Sequence, residues 1–556
     1  MNMHNLTLTS AILLTLLPLV SIGNPVEPIP GECRHELALA HKDILSISTL
    51  FISQNVNTHL ETDEGIERAI IWARHNGLTK IYLETFRGNI WADETVIRKA
   101  RDAFREAGFE VAGCITTTNM AKRGLQRRDG TLTVSPYDAC FTSRVNQRVL
   151  QDIIEYSASL FDELIIDDFY KCLCICSECT EAKGDRTWSA YRINLMLNIS
   201  RDFVIAPARA VNPDCRITIK YPNWFDHWNH AGYDAERQTA LFDATYTGTE
   251  TREPTHIRLR PQYGAYFLMR LVSAPDPAKN KGGWFDYIDT MPATYVEQAR
   301  QTVLGGANEL MLFHYVPLVA HEAPIQSMAA LNAELPELFH LARLIEGKAH
   351  RGVAVPKPLN SSDFTLPETR LETDVYIHGY LGMLGIPLEP VLTLDPSAKA
   401  LIGTQHILYD DKLLAALKKQ IESGVPTIVT SNLLKTTGPL EGNPMILSFT
   451  EKIELMTLPQ KRIDTLRNHV LEPLGYRLSA PARVSLHLYD DDLVVLENFN
   501  DHPVKIEIST VGKPSVYNRV LTIPKEAKTE EHPGESPLTA GWIIASRSLL
   551  VLEKAD

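Results

Sequence analysis

ILSISTLFI (44–52), DEGIERAIIWARHNG (63–77), KIYLET (80–85), DETVIRKARDAFREAG (93–108) and FEVAGCITT (109–117) follow one another in the chain. Three β-rich runs alternate with two amphipathic helical patterns. Each helix opens on an acidic first turn, and Gly77 or Gly108 follows its last apolar residue, as helix stops do. Five further β-rich runs continue the series: ELIIDD (163–168), RITIKYP (216–222), FDATYTGTE (242–250), GGWFDYI (282–288) and ELMLFHY (309–315). Eight strand–helix repeats predict an α/β fold with a (β/α)8 TIM barrel over residues 24–345. A doubly wound open sheet is the competing reading. The even count and the lack of a Gly-rich phosphate loop favour the barrel.

Outside the barrel the pattern changes twice. GVAVP (352–356), VYIHGYLGMLGIPLEPV (375–391), HILYDD (406–411) and VPTIVTS (425–431) alternate with helices such as DKLLAALKKQIESG (411–424), predicting a flavodoxin-like α/β domain over 346–475. From 476 to 556 only β-runs remain, including VSLHLY (484–489), LVVLENF (493–499) and VKIEIS (504–509), with Asn500–Pro503 read as a hairpin loop. These predict a small β-sandwich. At the other end, AILLTLLPLV (11–20) is an apolar run of signal-peptide length, too short to span a bilayer, followed by small residues at Ser21 and Gly23. Residues 1–23 read as a signal peptide and the protein as secreted or periplasmic, although the first five residues carry no Lys or Arg.

The 556 residues are 44% hydrophobic and 22% charged, a globular balance, and carry a net charge of −13. That charge argues against nucleic acid or an anionic membrane surface as partner. Eight cysteines are too few for a disulfide scaffold, yet four of them fall between Cys172 and Cys179.

In a TIM barrel the chemistry sits where strands end. Those positions hold Glu84 and Arg87 (strand 2), Asp167 and Asp168 (strand 4), Asn223 and Trp224 (strand 5), Thr249, Glu250 and Arg252 (strand 6), Trp284 and Asp286 (strand 7), and His314 and Tyr315 (strand 8). Carboxylates suit acid–base chemistry, and flat rings suit stacking on sugar faces. Directly after strand 4, Cys174, Cys176 and Cys179 are spaced C-x-C-x2-C, which suits tetrahedral Zn2+. Either Cys172 or Cys140 can supply the fourth ligand. Disulfides are the competing reading, although cysteines so close together bridge one another poorly.

Strand 4, the C-x-C-x2-C loop and the aromatic-rich helix behind it, DDFYKCLCICSECTEAKGDRTWSAYR (167–192), resemble the family-42 glycoside hydrolases, the β-galactosidase group. YDACFTSRVNQRVLQDIIEY (137–156), LMR (268–270) and ARQTVLGGANELMLFHY (299–315) are similar to that family as well. The resemblance implies a barrel followed by a flavodoxin-like trimerisation domain and a small β-domain, hence a homotrimer. It also implies a structural zinc site at Cys140, Cys174, Cys176 and Cys179, with Cys172 outside it. The family's Asn-Glu at strand 4 is Asp167-Asp168 here, and its strand 7 Glu matches Asp286, so both acids are a methylene shorter.

The resulting expectation is a glycoside hydrolase acting on oligo- or polysaccharide through paired carboxylates, with Asp168 partnered by Glu250 or Asp286 and no organic cofactor. Asp167 is expected to face away from the site. Trp224, Tyr263, Trp284 and Tyr315 are the candidate sugar-stacking rings. Glu84, Arg87, Asn223, Arg252 and His314 are the candidate hydroxyl-binding groups. A catalytically inactive carbohydrate-binding barrel and a metal-dependent hydrolase are the alternatives.

Overall fold

The computed structural model describes residues 34–555 apart from 121–124, 127–131, 134–138, 254–259, 360–373, 513–515 and 535–538. The expected leader at 1–23 lies outside the described residues. Eight parallel strands form the first domain: β1 (Ser46–Phe51), β2 (Lys80–Arg87), β3 (Glu110–Ile115), β4 (Glu163–Ile166), β5 (Arg216–Tyr221), β6 (Ala244–Gly248), β7 (Asn280–Asp286) and β8 (Glu309–Phe313). They pair in chain order. β1 bonds both β2 and β8, with Ser48 opposite Lys80 and Ser46 opposite Glu309, so the sheet closes into a barrel.

The helices form where the sequence signals them. Thr62 caps Asp63–His75 through Gly65 N, and Asp93 caps Glu94–Glu106 through Val96 N. Gly77 and Gly108 end them in left-handed conformations, with φ of 68° and 93°.

Strand alternation sorts the side chains between the two faces. Leu50, Tyr82, Ile165, Tyr246, Trp284 and Met311 fill the lumen. Ile217, Ile219 and Tyr221 face the helical layer instead. At the strand starts Lys80 Nζ sits 2.5 Å from Glu163 and 3.2 Å from Glu309, and Ser48 donates to Glu309 at 2.6 Å. This network and the apolar layer above it seal one end, leaving the strand-end mouth for chemistry.

The second unit is an all-parallel sheet of β9 (Val353–Pro356), β10 (Leu388–Val391), β11 (Leu401–Gly403), β12 (Thr427–Thr430) and β13 (Met445–Leu447), in the order β10-β9-β11-β12-β13. That is the flavodoxin-like order, with its switch point between β9 and β11. Two expected runs differ here. Residues 375–391 hold the helix Ile377–Gly382 and are a strand only at Leu388–Val391. HILYDD is not a strand: Gln405–Tyr409 form a 3-10 turn, Asp410 caps the next helix, and the strand lies just before it at Leu401–Gly403.

The C-terminal unit comprises β14 (Tyr476–Ser479), β15 (Val484–Tyr489), β16 (Leu493–Asn498), β17 (Val504–Thr510), β18 (Tyr517–Ile523), β19 (Glu530–Pro533), β20 (Ala540–Ile544) and β21 (Ser548–Lys554). They form two antiparallel sheets, β15-β16-β21-β18 and β14-β17-β20-β19, the first extended by His350–Arg351 beside β15. Asn500–Pro503 is therefore a crossover between sheets, not a hairpin. Asn498 Nδ2 fixes it by donating to the carbonyls of His502, Ile544 and Ala545. This unit covers the barrel helix Pro292–Leu304. Arg300 pairs with Glu334 at 2.6 Å and Glu497 at 3.0 Å, and Tyr489 donates to the Leu304 carbonyl.

Candidate active site

The lumen positions above the apolar layer are polar on nearly every strand. Arg87 bridges Glu84 and Asp167, its Nε 2.9 Å from Glu84 Oε2 and its Nη2 2.8 Å from Asp167 Oδ2. Thr116 donates to both acids, at 2.5 and 3.0 Å, and the Ser53 amide donates to Glu84 at 3.0 Å. Burial holds the Glu84 carboxyl above its ordinary pKa despite these partners.

The centre of the mouth is Lys220, on β5. Its Nζ lies 3.0 Å from Asp168 Oδ2, 2.9 Å from Glu250 Oε1 and 3.6 Å from Asp167 Oδ1, and 4.1 Å above the Trp284 ring. Two contacts of 3.0 and 2.9 Å through one ammonium place Asp168 Oδ2 and Glu250 Oε1 no more than 5.9 Å apart. Paired glycosidase carboxyls sit ~5–5.5 Å apart in retaining enzymes and ~6.5–9.5 Å apart in inverting ones.

Asp168 is pushed up to about 7, by burial first and then by Asp167 and Glu250, against the pull of Lys220. Asp167 goes the other way: burial opposes its charge, but Lys220 and Arg87 outweigh burial and hold it below the ordinary range. Two neighbouring acids are thus driven apart, as an acid–base site requires.

The second oxygen of Glu250, Oε2, is buried without a hydrogen-bond partner. Glu250 lines a water-sized cavity of about 20 Å3 together with Asn223, Phe225, Arg260, Tyr376 and Gly379. Asp286 is engaged differently: Arg252 Nε and Nη2 clamp its two oxygens at 3.0 and 2.7 Å, and the Ile288 amide donates to it at 3.1 Å.

The family model described as "Probable glycosyl hydrolase, catalytic domain" matches residues 34–356, more than half of the chain. The chain belongs to this probable glycosyl hydrolase family. The same family's C-terminal domain matches 475–540, and the second domain of "Uncharacterized protein SSO3021" matches 365–456. SSO3021 of Saccharolobus solfataricus is 25% identical over 565 residues, covering 82% of this chain and 92% of that protein.

Solved structures with the same fold include α-L-fucosidase isoenzyme 2 from Paenibacillus thiaminolyticus (9% identity, TM-score 0.60, 92% of this chain and 99% of that one). A catalytic mutant of Gan42B, a GH42 β-galactosidase from G. stearothermophilus, matches at 11% identity and TM-score 0.62, over 92% of this chain and 98% of that one. The resemblance read from the cysteine loop thus holds at the level of fold, and the family model independently gives a glycosyl hydrolase family.

Within this glycosyl hydrolase family member, several expected roles need correction. Asp167 does not face away. Ile165 points into the lumen, so Asp167 keeps that phase; β4 ends at Ile166, and a turn closed by Tyr170 N on the Asp167 carbonyl brings Asp168 in as well.

Tyr315 packs behind the sheet, 4.3 Å from the Phe51 ring and edge-on to Trp72, so it cannot stack on a sugar. Tyr263 is fully buried against His487, and its hydroxyl accepts the Leu388 amide at the interface of all three units. Trp284 is buried beneath Lys220 as floor, not platform. Glu84 has no exposure, so it braces Arg87 instead of binding a hydroxyl.

Of the four expected stacking rings only Trp224 stays half-buried, edge-on to Tyr233 with Lys171 above it. Asn223 donates to the Glu250 carbonyl at 2.8 Å. His314 stands between Asn55 and Tyr287, and burial first and Arg87 second lower it to about 3. Half-buried Phe169 and Tyr287 join this rim and escaped sequence reading, as did Lys220. Lys220 had a signal: a lysine amid the apolar text of RITIKYP must find a partner inside.

Cys140, Cys174, Cys176 and Cys179 bring their sulfurs within 4.8 Å of one another, and none is in a disulfide. Cys140 Sγ lies 3.5 Å from Cys179 and 3.8 Å from Cys176. Tetrahedral Zn–S bonds of ~2.3 Å require sulfurs roughly 3.8 Å apart, so the donor set fits zinc. Among the described residues this is the only His/Cys/Asp/Glu grouping with metal spacing, and no strand-end His–carboxylate set accompanies it. Nor is any described helix long and apolar enough to cross a membrane.

Proposed function

We propose that the chain is an exported glycoside hydrolase that cleaves O-glycosyl bonds of oligo- or polysaccharides with retention, using Asp168 as general acid/base and Glu250 as nucleophile. The observation that carries this is the convergence of both carboxylates on Lys220, with Glu250 Oε2 unpartnered; burial and the neighbouring acids also push Asp168 up to about 7. Asp286 is set aside as nucleophile because Arg252 holds both of its oxygens.

In the first step the Asp168 carboxyl gives its proton to the glycosidic oxygen while a Glu250 carboxylate oxygen bonds to the anomeric carbon, and the aglycone leaves as an alcohol. In the second, Asp168 takes a proton from water, which displaces Glu250 and restores the anomeric configuration. Lys220 supplies the counter-charge that the buried Glu250 carboxylate needs. Trp224 offers the sugar a ring face. Cys140, Cys174, Cys176 and Cys179 would hold zinc, which would supply structure only, tying residues 174–179 after β4 to Cys140.

The apolar run at 11–20 supports export, and the likeness of the domain order to a trimerising family supports a homotrimer. A second reading, a barrel that binds glycan without cleaving it, draws on the burial of Glu250, whose side chain is 5% exposed. A glycan-panel screen of wild type, Asp168→Asn and Glu250→Gln separates the two. Turnover that falls at least ~100-fold in each variant supports hydrolysis. Binding without turnover in wild type supports the second reading.

A further inference from the structure

The loop after β5 carries two residues of the proposed site, Asn223 and Trp224, and then turns through the short 3-10 helix Phe225–His227. Asp226 in that turn is fully buried and points away from the barrel mouth, into the second domain. Lys357, which follows β9, puts its Nζ 2.8 Å from Asp226 Oδ1, and His406, which follows β11, puts its Nε2 3.1 Å from the same oxygen. The Tyr376 amide donates to Asp226 Oδ2 at 2.9 Å. All three side chains in this contact are at most 1% exposed. Lys357 and His406 flank the switch point between β9 and β11, the crevice where folds of this order ordinarily hold a ligand. Here the barrel's own β5 loop fills it.

The same loop bears on the catalytic carboxylates. Asn223 donates its side-chain amide to the Glu250 backbone carbonyl. The cavity lined by Glu250 is also lined by Tyr376 and Gly379 of the second domain. Asp226 lies three residues from Asn223 and two from Trp224, too short a span for either to move independently of the anchor.

We propose that Lys357 and His406 are positioning residues for catalysis: by clamping Asp226 they hold the β5 loop, and through it Asn223, Trp224 and the backbone of Glu250, so the active site is completed by the second domain of the same chain. This deepens the hydrolase reading and rests on it for its catalytic arm only. A buried acid that loses one partner is left with uncompensated charge, so the loop, not the whole domain, is the element expected to loosen.

The test uses the full-length protein with Lys357→Met, and Asp226→Asn as the shape-conserving variant should the first not fold. Amide hydrogen exchange across 222–228 should rise by about tenfold or more, while helix Glu322–Ile345 keeps its protection. With an active glycan, kcat should fall by about tenfold at a temperature where the variant remains folded. A merely structural role predicts a lower Tm with unchanged exchange at 222–228 and unchanged kcat, and that result overturns the proposal. If wild type cleaves no glycan but exchange at 222–228 still rises, the clamp stands and the hydrolase reading fails. If glycan is cleaved and exchange does not change, the clamp fails alone.

Discussion

Replacing Lys220 with Met should move the alkaline limb of the pH–rate profile upward. Lys220 Nζ is 3.0 Å from Asp168 and favours its ionised form. At that separation a unit charge pair is worth about 1.4 kcal/mol in bulk water and about 5.5 kcal/mol at an effective dielectric of 20, or about 1 to 4 pKa units. Asp167 and Glu250 share the same ammonium, which divides the loss and favours the lower half, ~1–2 units. The sign is fixed by the role. A general acid works while protonated, and without the neighbouring cation Asp168 keeps its proton to higher pH, so activity persists further into the alkaline range even as its maximum falls.

The assay is kcat/KM against pH for wild type, Lys220→Met and Lys220→Arg, with near-UV circular dichroism to confirm folding. Lys220→Arg keeps the charge and should leave the limb near 7. An alkaline limb that stays in place in Lys220→Met, or moves to lower pH, would refute the role given to Asp168.

Three further outcomes follow from the geometry. Chelation should release one zinc per chain and lower Tm before it lowers kcat; Cys176→Ser should abolish zinc binding in elemental analysis, whereas Cys172→Ser should retain it. Trp224→Ala should raise KM, while Tyr315→Ala, a cavity behind the sheet, should cost about 3–5 kcal/mol in denaturant unfolding and leave the KM of the folded fraction alone. Arg300→Met strands Glu497 and Glu334 between the barrel and the β-sandwich, and should destabilise by about 3–5 kcal/mol in the same measurement.

The barrel was legible because its signals are local and repeated. Each of the eight runs is bounded by turn chemistry, and Gly77 and Gly108 stop helices where only a residue tolerant of positive φ fits well. The run at 406–411 misled because a short apolar stretch has no period that separates a strand from a 3-10 turn.

Site residues were legible as types and not as directions. Asp168 and Glu250 stand at strand ends, and both reach Lys220; the sequence left Glu250 and Asp286 open as the partner. Tyr315 stands at a strand end too, but past the last ladder residue, Phe313, where the chain starts a helix and turns the ring outward. Asp167 and Asp168 both reach the lumen because β4 stops at Ile166, and alternation says nothing beyond a strand's last residue. The clamp on Asp226 had no local signal, since Lys357 and His406 are more than a hundred residues away from it in the chain.

The most direct test of the paired-carboxylate account is the configuration of the first-formed product, followed by proton NMR during hydrolysis of the glycan found active. Asp168 Oδ2 and Glu250 Oε1, held within 5.9 Å by Lys220, predict the same anomer as the substrate. Release of the opposite anomer would contradict the pairing.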